Sequence, residues 1–336
     1  MSSPPTDGFQ RRIDYLRLSI TDRCNLRCMY CMPQEGVPKL AHADVLRYEE
    51  IIRLAGIAIA MGIRKIRVTG GEPLVRRDIV HLCERITQLP GLESLTLTTN
   101  AVLLAHYADN LYRAGVKRIN ISLDTLNPKK YARITRHNCF DEVWRGIETA
   151  QRVGFYPIKL NVVAMRGIND DEIEDLAALT RHHPFHVRFI EHMPVQSNHN
   201  ESRERFLGTD EILRRIERLG TLLEVTSQNS NGPARHYQLA GAAGKIGIIS
   251  PISHHFCGSC NRLRLTADGK LRTCLFSSRE TDLQRPLREG ASDAELTAII
   301  RTAIRQKPAK HPLDPETFPH DPPRKCFARP MAAIGG

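Results

Sequence analysis

Six short β-rich runs alternate with longer amphipathic stretches over the first two-thirds of the chain, and few folds accommodate that rhythm. The runs are LRLSIT (16–21), KIRVT (65–69), SLTLTT (94–99), RINISL (118–123), IKLNVVA (158–164) and HVRFIE (186–191). Between them, stretches such as YEEIIRLAGIAIAMG and DEVWRGIETAQRVG space apolar residues three and four apart, the helical period. Gly62, Gly115 and Gly154 each stand where a helix should stop before the next strand. Successive βα units with right-handed crossovers predict parallel strands. Eight would close a full barrel. Six predict an α/β fold built on a partial (βα)6 TIM-type barrel.

In such a barrel the chemistry sits at the C-terminal ends of the strands, and the unusual residues fall there. A C-x₃-C-x₂-C run, Cys24, Cys28 and Cys31, follows the first strand, and TGGEP (69–73) follows the second. TTN (98–100) ends the third, SLD (122–124) the fourth, and EHMP (191–194) follows the sixth. Gly-Gly there allows close backbone approach to a ligand, and Glu72 could accept from an ammonium group.

Beyond residue 195 the rhythm breaks. TDEILRRIERLG reads as a helix opened by a Thr-Asp cap, TSQNSNGPARHYQLAG as turn-rich, ADGK as a hairpin turn, and 293–305 as a helix. The chain thus divides into a flexible N-terminus (1–12), a barrel (13–195), a C-terminal α+β extension (196–325) and a tail (326–336) ending Gly335-Gly336. No apolar run approaches the roughly 20 residues of a membrane span, and MSSPPTDGFQRR lacks the apolar core of a secretory signal. A cytoplasmic protein is expected.

Nine cysteines in such a chain argue for metal or redox chemistry over disulfides. Cys83, Cys139 and Cys326 stand alone and read as packed or incidental thiols. The others form two trios, the second being Cys257, Cys260 and Cys274 in C-x₂-C-x₁₃-C spacing. Each trio lacks the fourth ligand that tetrahedral zinc or an ordinary cluster asks for. Zinc completed by a distant His or Cys is one reading, with His254 and His255 near the second trio. A [4Fe–4S] cluster with one iron open to a small molecule is the other.

The net charge of +11 and pI of about 9.4 call for polyanionic partners, nucleic acid or a small phosphorylated substrate. Arg262 and Arg264 alternate after Cys260, so an extended strand aims both at one anion. Arg17, Arg67, Lys159 and Arg188 sit within core-like strands, where an unpaired charge is costly. A cation-lined lumen between two metal sites suits a polyphosphate. A duplex would need a basic outer face, and no recognition helix is visible.

The first trio, with Tyr30 just before Cys31, resembles the radical S-adenosylmethionine superfamily. That resemblance implies a cluster whose open iron is chelated by S-adenosylmethionine and whose electron releases a 5′-deoxyadenosyl radical. Gly71, Ser122 and Met193 would contact the cofactor, with Tyr30 near its adenine. The second trio, NRLRL and the final Gly335-Gly336 narrow the resemblance to a nucleotide-cyclising family of molybdenum cofactor biosynthesis. It implies two [4Fe–4S] clusters, S-adenosylmethionine and GTP, with Arg17, Arg67, Thr98, Lys159, Arg188, Arg262 and Arg264 on the nucleotide and the guanine at the second cluster. The radical would take the ribose 3′ hydrogen and the carbon radical attack C8, giving (8S)-3′,8-cyclo-7,8-dihydroguanosine 5′-triphosphate. Also implied are a reductant, a homodimer, transfer of product to a cyclic pyranopterin monophosphate synthase, a tail reaching the active site, and no nucleic-acid partner. The rivals are another radical enzyme with an auxiliary cluster, such as a peptide maturase, and a zinc-binding nucleic-acid protein.

Overall fold

The computed structural model describes residues 3–193, 203–225, 232–313 and 329–335. The six runs are strands β1 (Tyr15–Ser19), β2 (Lys65–Thr69), β3 (Ser94–Thr99), β4 (Arg118–Ser122), β5 (Ile158–Ala164) and β6 (His186–Glu191). They pair in chain order, all parallel. Helices α1 (Tyr48–Ala60), α2 (Ile79–Thr87), α3 (Leu104–Arg113), α4 (Pro128–Thr135), α5 (Phe140–Val153) and α6 (Ile173–His182) fill the crossovers. Alternate strand residues explain the layers. Leu16, Leu18, Ile66, Val68, Leu97, Ile121, Leu160 and Phe189 are buried in the main core, where each side chain contributes about 1.5–3 kcal/mol. Their neighbours along each strand face the lumen. Gly62, Gly115 and Gly154 stop their helices in the left-handed region, at φ of 108°, 95° and 100°.

The C-terminal third joins this sheet at both edges. The remaining elements are α7 (Thr209–Glu217), β7 (Leu222–Glu224), β8 (Ala234–Leu239), β9 (Lys245–Ile249), β10 (Arg262–Leu265), β11 (Lys270–Arg272), β12 (Thr281–Asp282), α8 (Gln284–Arg288), α9 (Asp293–Arg305) and α10 (Met331–Ile334). Strand β9 pairs parallel with β6, and β10 pairs parallel with β1. The sheet order is β12-β11-β10-β1-β2-β3-β4-β5-β6-β9-β8-β7, so eight adjacent strands run parallel and antiparallel hairpins finish each edge. Among the described residues the sheet remains open.

Several expectations are corrected. The N-terminus is pinned from residue 3 onward: Thr6 bridges Arg12, Ile13 is fully buried, and the buried Asp7–Arg11 ion pair spans 2.6 Å. The stretch read as turn-rich contains β8, which pairs with β9 and buries Ala234, Tyr237 and Leu239. The first strand ends at Ser19, two residues early. Thr209 does not cap α7. The cap is Gly208, and the Thr209 hydroxyl instead donates to Glu191 at 2.8 Å. The expected boundary at 195–196, Cys326 and Gly336 lie outside the described residues.

Glu191, fully buried at the end of β6, holds this junction. It accepts from Thr209 N at 3.1 Å, Ile252 N at 3.0 Å, Ser253 N at 3.1 Å and the Ser253 hydroxyl. It thereby fixes α7 and the approach to the second thiol trio. Glu191→Ala leaves several buried donors without an acceptor, so a loss of roughly 3 kcal/mol is expected, with a smaller one in Glu191→Gln. Thermal unfolding checks this; an unchanged Tm in the alanine variant would remove Glu191 from that role.

Candidate functional site

Parallel register turns scattered residues into rows. Arg264 of β10 lies opposite Arg17 of β1, which lies opposite Arg67 of β2, itself opposite Thr96 of β3. With strands about 4.8 Å apart, three guanidiniums crowd one wall. A second row runs Thr98, Asn120, Lys159, His186, Lys245 across β3, β4, β5, β6 and β9. All of these except Asn120 line one cavity of about 500 Å³, which also reaches Arg188, Arg262 and all six cysteines of the two trios. Arg188 fits because its neighbour across the sheet is Gly247, where a Cβ would lie 2.9 Å from Arg188 Cγ.

Burial and neighbouring like charges weigh on these cations. Burial, then Arg264 and Arg67, pushes the Arg17 guanidinium down. Burial and Arg262 bring Arg264 to about 9, and burial and Arg67 bring Arg188 to about 10. Guanidiniums at these values stay charged at neutral pH. The Thr98 hydroxyl and Arg188 Nε are buried without hydrogen-bond partners. Arg264 donates to Gly335 O at 2.7 Å, which brings the start of the expected Gly-Gly end to the cavity wall. These cations therefore face a cavity that a compact polyanion could enter.

The first trio sits on a loop held by the backbone. Cys31 N donates to Cys28 O at 2.9 Å, Met29 N to Ile134 O at 2.9 Å, and Arg136 to Arg27 O and Met32 O at 3.0 Å each. Burial lifts Cys24 to about 11. Burial and neighbouring negative groups, Cys31 for Cys28 and Cys24 for Cys31, also raise those thiols. Gly70 and Gly71 also let this loop pack closely: Cβ atoms there would lie 2.7 Å from Thr21 O and 2.3 Å from Arg23 O. The close approach at Gly-Gly is thus one of chain on chain, while both glycines still line the cavity.

Glu72 is already engaged by its own chain, accepting from Leu74 N at 3.0 Å, the Thr99 hydroxyl at 2.7 Å and Asn100 N at 2.7 Å. Burial nevertheless raises its carboxyl to about 7. The Asn100 amide in turn points at Cys24 Sγ, 3.9 Å away, and bonds Asn25 Oδ1 at 2.8 Å. Tyr30 donates to Asp124 at 2.7 Å, and Asp124 also accepts from Val163 N at 2.8 Å. Ser122 and Met193 line the same wall, Met193 packing on Ile252, Phe276 and Leu313. Asn100 and Asp124 had been noticed only as strand-end polar residues.

The second trio has partners that no motif announces. Arg11 donates to Cys257 O at 2.7 Å, Ala309 O at 2.9 Å and Pro308 O at 2.6 Å. Buried Lys307 donates to Arg262 O at 3.0 Å and to Thr273 O. Burial raises the Cys260 thiol, but Arg262 and Lys307 outweigh it and bring the thiol to about 6. His254 is exposed beside Asp210, and His311, not His255, bonds the nearby backbone, at Pro251 O. Cys83 is fully buried and Cys139 packs 3.8 Å from the Tyr131 hydroxyl, as expected of incidental thiols.

These donor sets fit clusters. Among the described residues no three His, Cys, Asp or Glu side chains converge as ligands of a single ion would. A [4Fe–4S] cluster instead gives each thiolate its own iron, and its cationic irons would favour the thiolate form that burial disfavours in the first trio.

Residues 18–180 match the radical SAM superfamily profile, and residues 185–313 the Molybdenum Cofactor Synthesis C profile. The chain is 49% identical over 331 residues to the GTP 3′,8-cyclase of Heliobacterium modesticaldum, covering 98% of this chain and 99% of that protein. It is 51% identical over 308 residues to the GTP 3′,8-cyclase of Moorella thermoacetica, covering 92% and 95%. Streptococcus suis SuiB shares the fold over 86% of this chain and 68% of its own, at 17% identity and a TM-score of 0.58.

Burial, then Arg188, Arg67 and Arg118, pushes Lys159 from 10.5 to about 6. Between those values the unfolded chain binds a proton that the folded chain has released, so this group makes stability rise with pH across that window. Lys159→Met should therefore stabilise the nucleotide-free protein more at pH 7 than at pH 9. Unfolding midpoints of both proteins check this, and a difference independent of pH would contradict it.

Proposed function

We propose a residue-level account of catalysis for this chain, which belongs to the GTP 3′,8-cyclase family of the radical S-adenosylmethionine superfamily. Its function is the radical conversion of GTP in molybdenum cofactor biosynthesis, and the family implies two [4Fe–4S] clusters and S-adenosylmethionine. The observation that carries the residue assignments is that both thiol trios line one cavity together with Arg17, Arg67, Lys159, Arg188, Arg262 and Arg264.

Cys24, Cys28 and Cys31 would hold the first cluster, and Cys257, Cys260 and Cys274 the second. The chemistry supplied there when bound is reductive cleavage of the sulfonium to a 5′-deoxyadenosyl radical, which removes the ribose 3′ hydrogen so that the ribose carbon joins guanine C8. Tyr30, held by Asp124, lies with Gly71, Ser122 and Met193 on the cofactor wall. Arg17, Arg67, Thr98, Lys159, Arg188, Arg262 and Arg264 neutralise and orient the triphosphate, which spans the rows between the trios. The Gly335 carbonyl is neutral, so it orients the Arg264 guanidinium without consuming its charge. A guanine seated at the second trio would then present C8 towards the first.

This reading also includes a homodimer, an external reductant, a cyclic pyranopterin monophosphate synthase receiving the product, and a cytoplasmic setting. The described cysteines are free thiols, as a reducing compartment favours. No helix among the described residues is long and apolar enough to cross a membrane.

Anaerobic incubation of reconstituted protein with GTP, S-adenosylmethionine and reductant, followed by mass analysis, should give a cyclised nucleotide of unchanged mass. Cys24→Ala should abolish cofactor cleavage, whereas Cys257→Ala should retain some uncoupled cleavage without cyclised product. Full cyclisation by Cys257→Ala would refute the second-site assignment. Arg264→Ala should weaken triphosphate binding about tenfold more than nucleoside binding; equal losses in a binding titration would deny it a phosphate role.

A further inference from the structure

Beyond Lys159 and Arg188 the cavity continues to the β8–β9 side, where two histidines have no role in the account above. His186 starts β6, with Lys159 opposite it on β5 and Lys245 opposite it on β9. His236 on β8 faces Gly247, and beyond that bare position lies Arg188. The two rings stand 6.4 Å apart at 67°, and both line the cavity. In each, Nδ1 is buried without a hydrogen-bond partner. A buried ring nitrogen left unpaired is costly, and two such rings bordering one cavity mark a place where a ligand could supply the missing partner.

The surroundings specify the ligand's charge. Arg188, Lys159 and Lys245 face the pair, and Tyr156 packs edge-on to His186 at 6.5 Å. The cavity-lining carboxylates Glu72, Asp124 and Glu191 belong to the opposite strand ends, with Glu191 roughly 16 Å along β6 from His186. Burial, then Arg188 and Lys159, pushes His186 down to about 3 and His236 down to about 4. Both rings are therefore neutral at pH 7 in the nucleotide-free cavity. An arriving dianion reverses the local field, favours imidazolium, and converts each ring into a two-sided donor. On a nucleoside triphosphate the group with that second, titrating charge is the terminal phosphate, whose second ionisation lies near 6 in simple phosphomonoesters.

We propose that His186 and His236 form the subsite for the terminal phosphate and so distinguish a nucleoside triphosphate from the diphosphate. This rests on the reading of the cavity as a GTP site. Arg264, Arg17 and Arg67 lie in the other row and would meet phosphates shared by GTP and GDP, so they would not select between the two. The histidine pair adds contacts that only the longer chain reaches, through charge-assisted hydrogen bonds.

The test is calorimetry on anaerobically reconstituted enzyme with GTP, GDP, guanosine, ATP and ADP, in buffers of different ionisation enthalpy. Wild type should bind GTP at least about tenfold more tightly than GDP and take up more protons with GTP than with GDP. The double variant His186→Gln, His236→Gln should bring GTP and GDP affinities together and leave guanosine unchanged. Parallel losses for GTP and GDP in the variant, or equal affinity and equal proton uptake in wild type, would overturn the proposal. Lys159 also regains a proton when an anion enters, so the single variants His186→Gln and His236→Gln are read as well: each should lower the excess of proton uptake with GTP over GDP, and an excess unchanged in both would overturn the proposal. Equal binding of GTP and ATP would instead defeat the guanine reading, while ATP against ADP would still report on the histidines.

Discussion

Like charges held in one lumen are the constraint on which the rest of this molecule depends. Parallel pairing sends alternate residues of eight adjacent strands to the same side, and on that side Arg264, Arg17 and Arg67 fall in register. Two unit charges about 5 Å apart repel by roughly 3 kcal/mol at an effective dielectric of 20. The hydrophobic layer between sheet and helices must hold the fold against that repulsion until a polyanion relieves it. Binding and folding are therefore coupled through the same side chains: what makes the empty cavity unfavourable makes a triphosphate welcome.

The carboxylates of the site work in the other direction. Glu72 and Asp124 follow the ends of β2 and β4, Glu191 ends β6, and each gathers hydrogen bonds from loops that carry functional residues. None offers an idle oxygen to a ligand as its main task. Together they pre-set the backbone around the first trio, the cofactor wall and the approach to the second trio, so that little reorganisation remains when substrate arrives.

The barrel was legible because two periods alternate cleanly. Leu16, Leu18 and their counterparts repeat at two, α1 and α5 repeat near 3.6, and left-handed glycines separate them. The thiol trios and inward arginines were legible for a related reason: such residues in core-like runs demand a partner. What escaped notice lacks any period. Arg11 acts as a single side chain reaching 246 residues along the chain to Cys257 O, and Lys307 as one reaching back to Arg262 O; the short strands β9 and β10 were legible as strands, but not their pairing with β6 and β1. Gly70–Gly71 was legible only in part, because the same dipeptide answers equally to a nearby ligand and to a nearby backbone. The 2.3 Å from an added Cβ to Arg23 O shows the backbone to be one of its reasons.

The pairing of β10 onto β1 has a consequence for biogenesis. Arg17 and its partner Arg264 are separated by roughly 250 residues of chain, so at ribosomal speeds of 5–20 residues per second β1 waits roughly 12–50 s for its outer neighbour. Throughout that interval an arginine-bearing edge with unpaired amides and carbonyls is displayed by the nascent polypeptide. Its positive charge discourages sticking to other edges, giving an arginine proposed for nucleotide handling an earlier duty as guardian of an unfinished sheet.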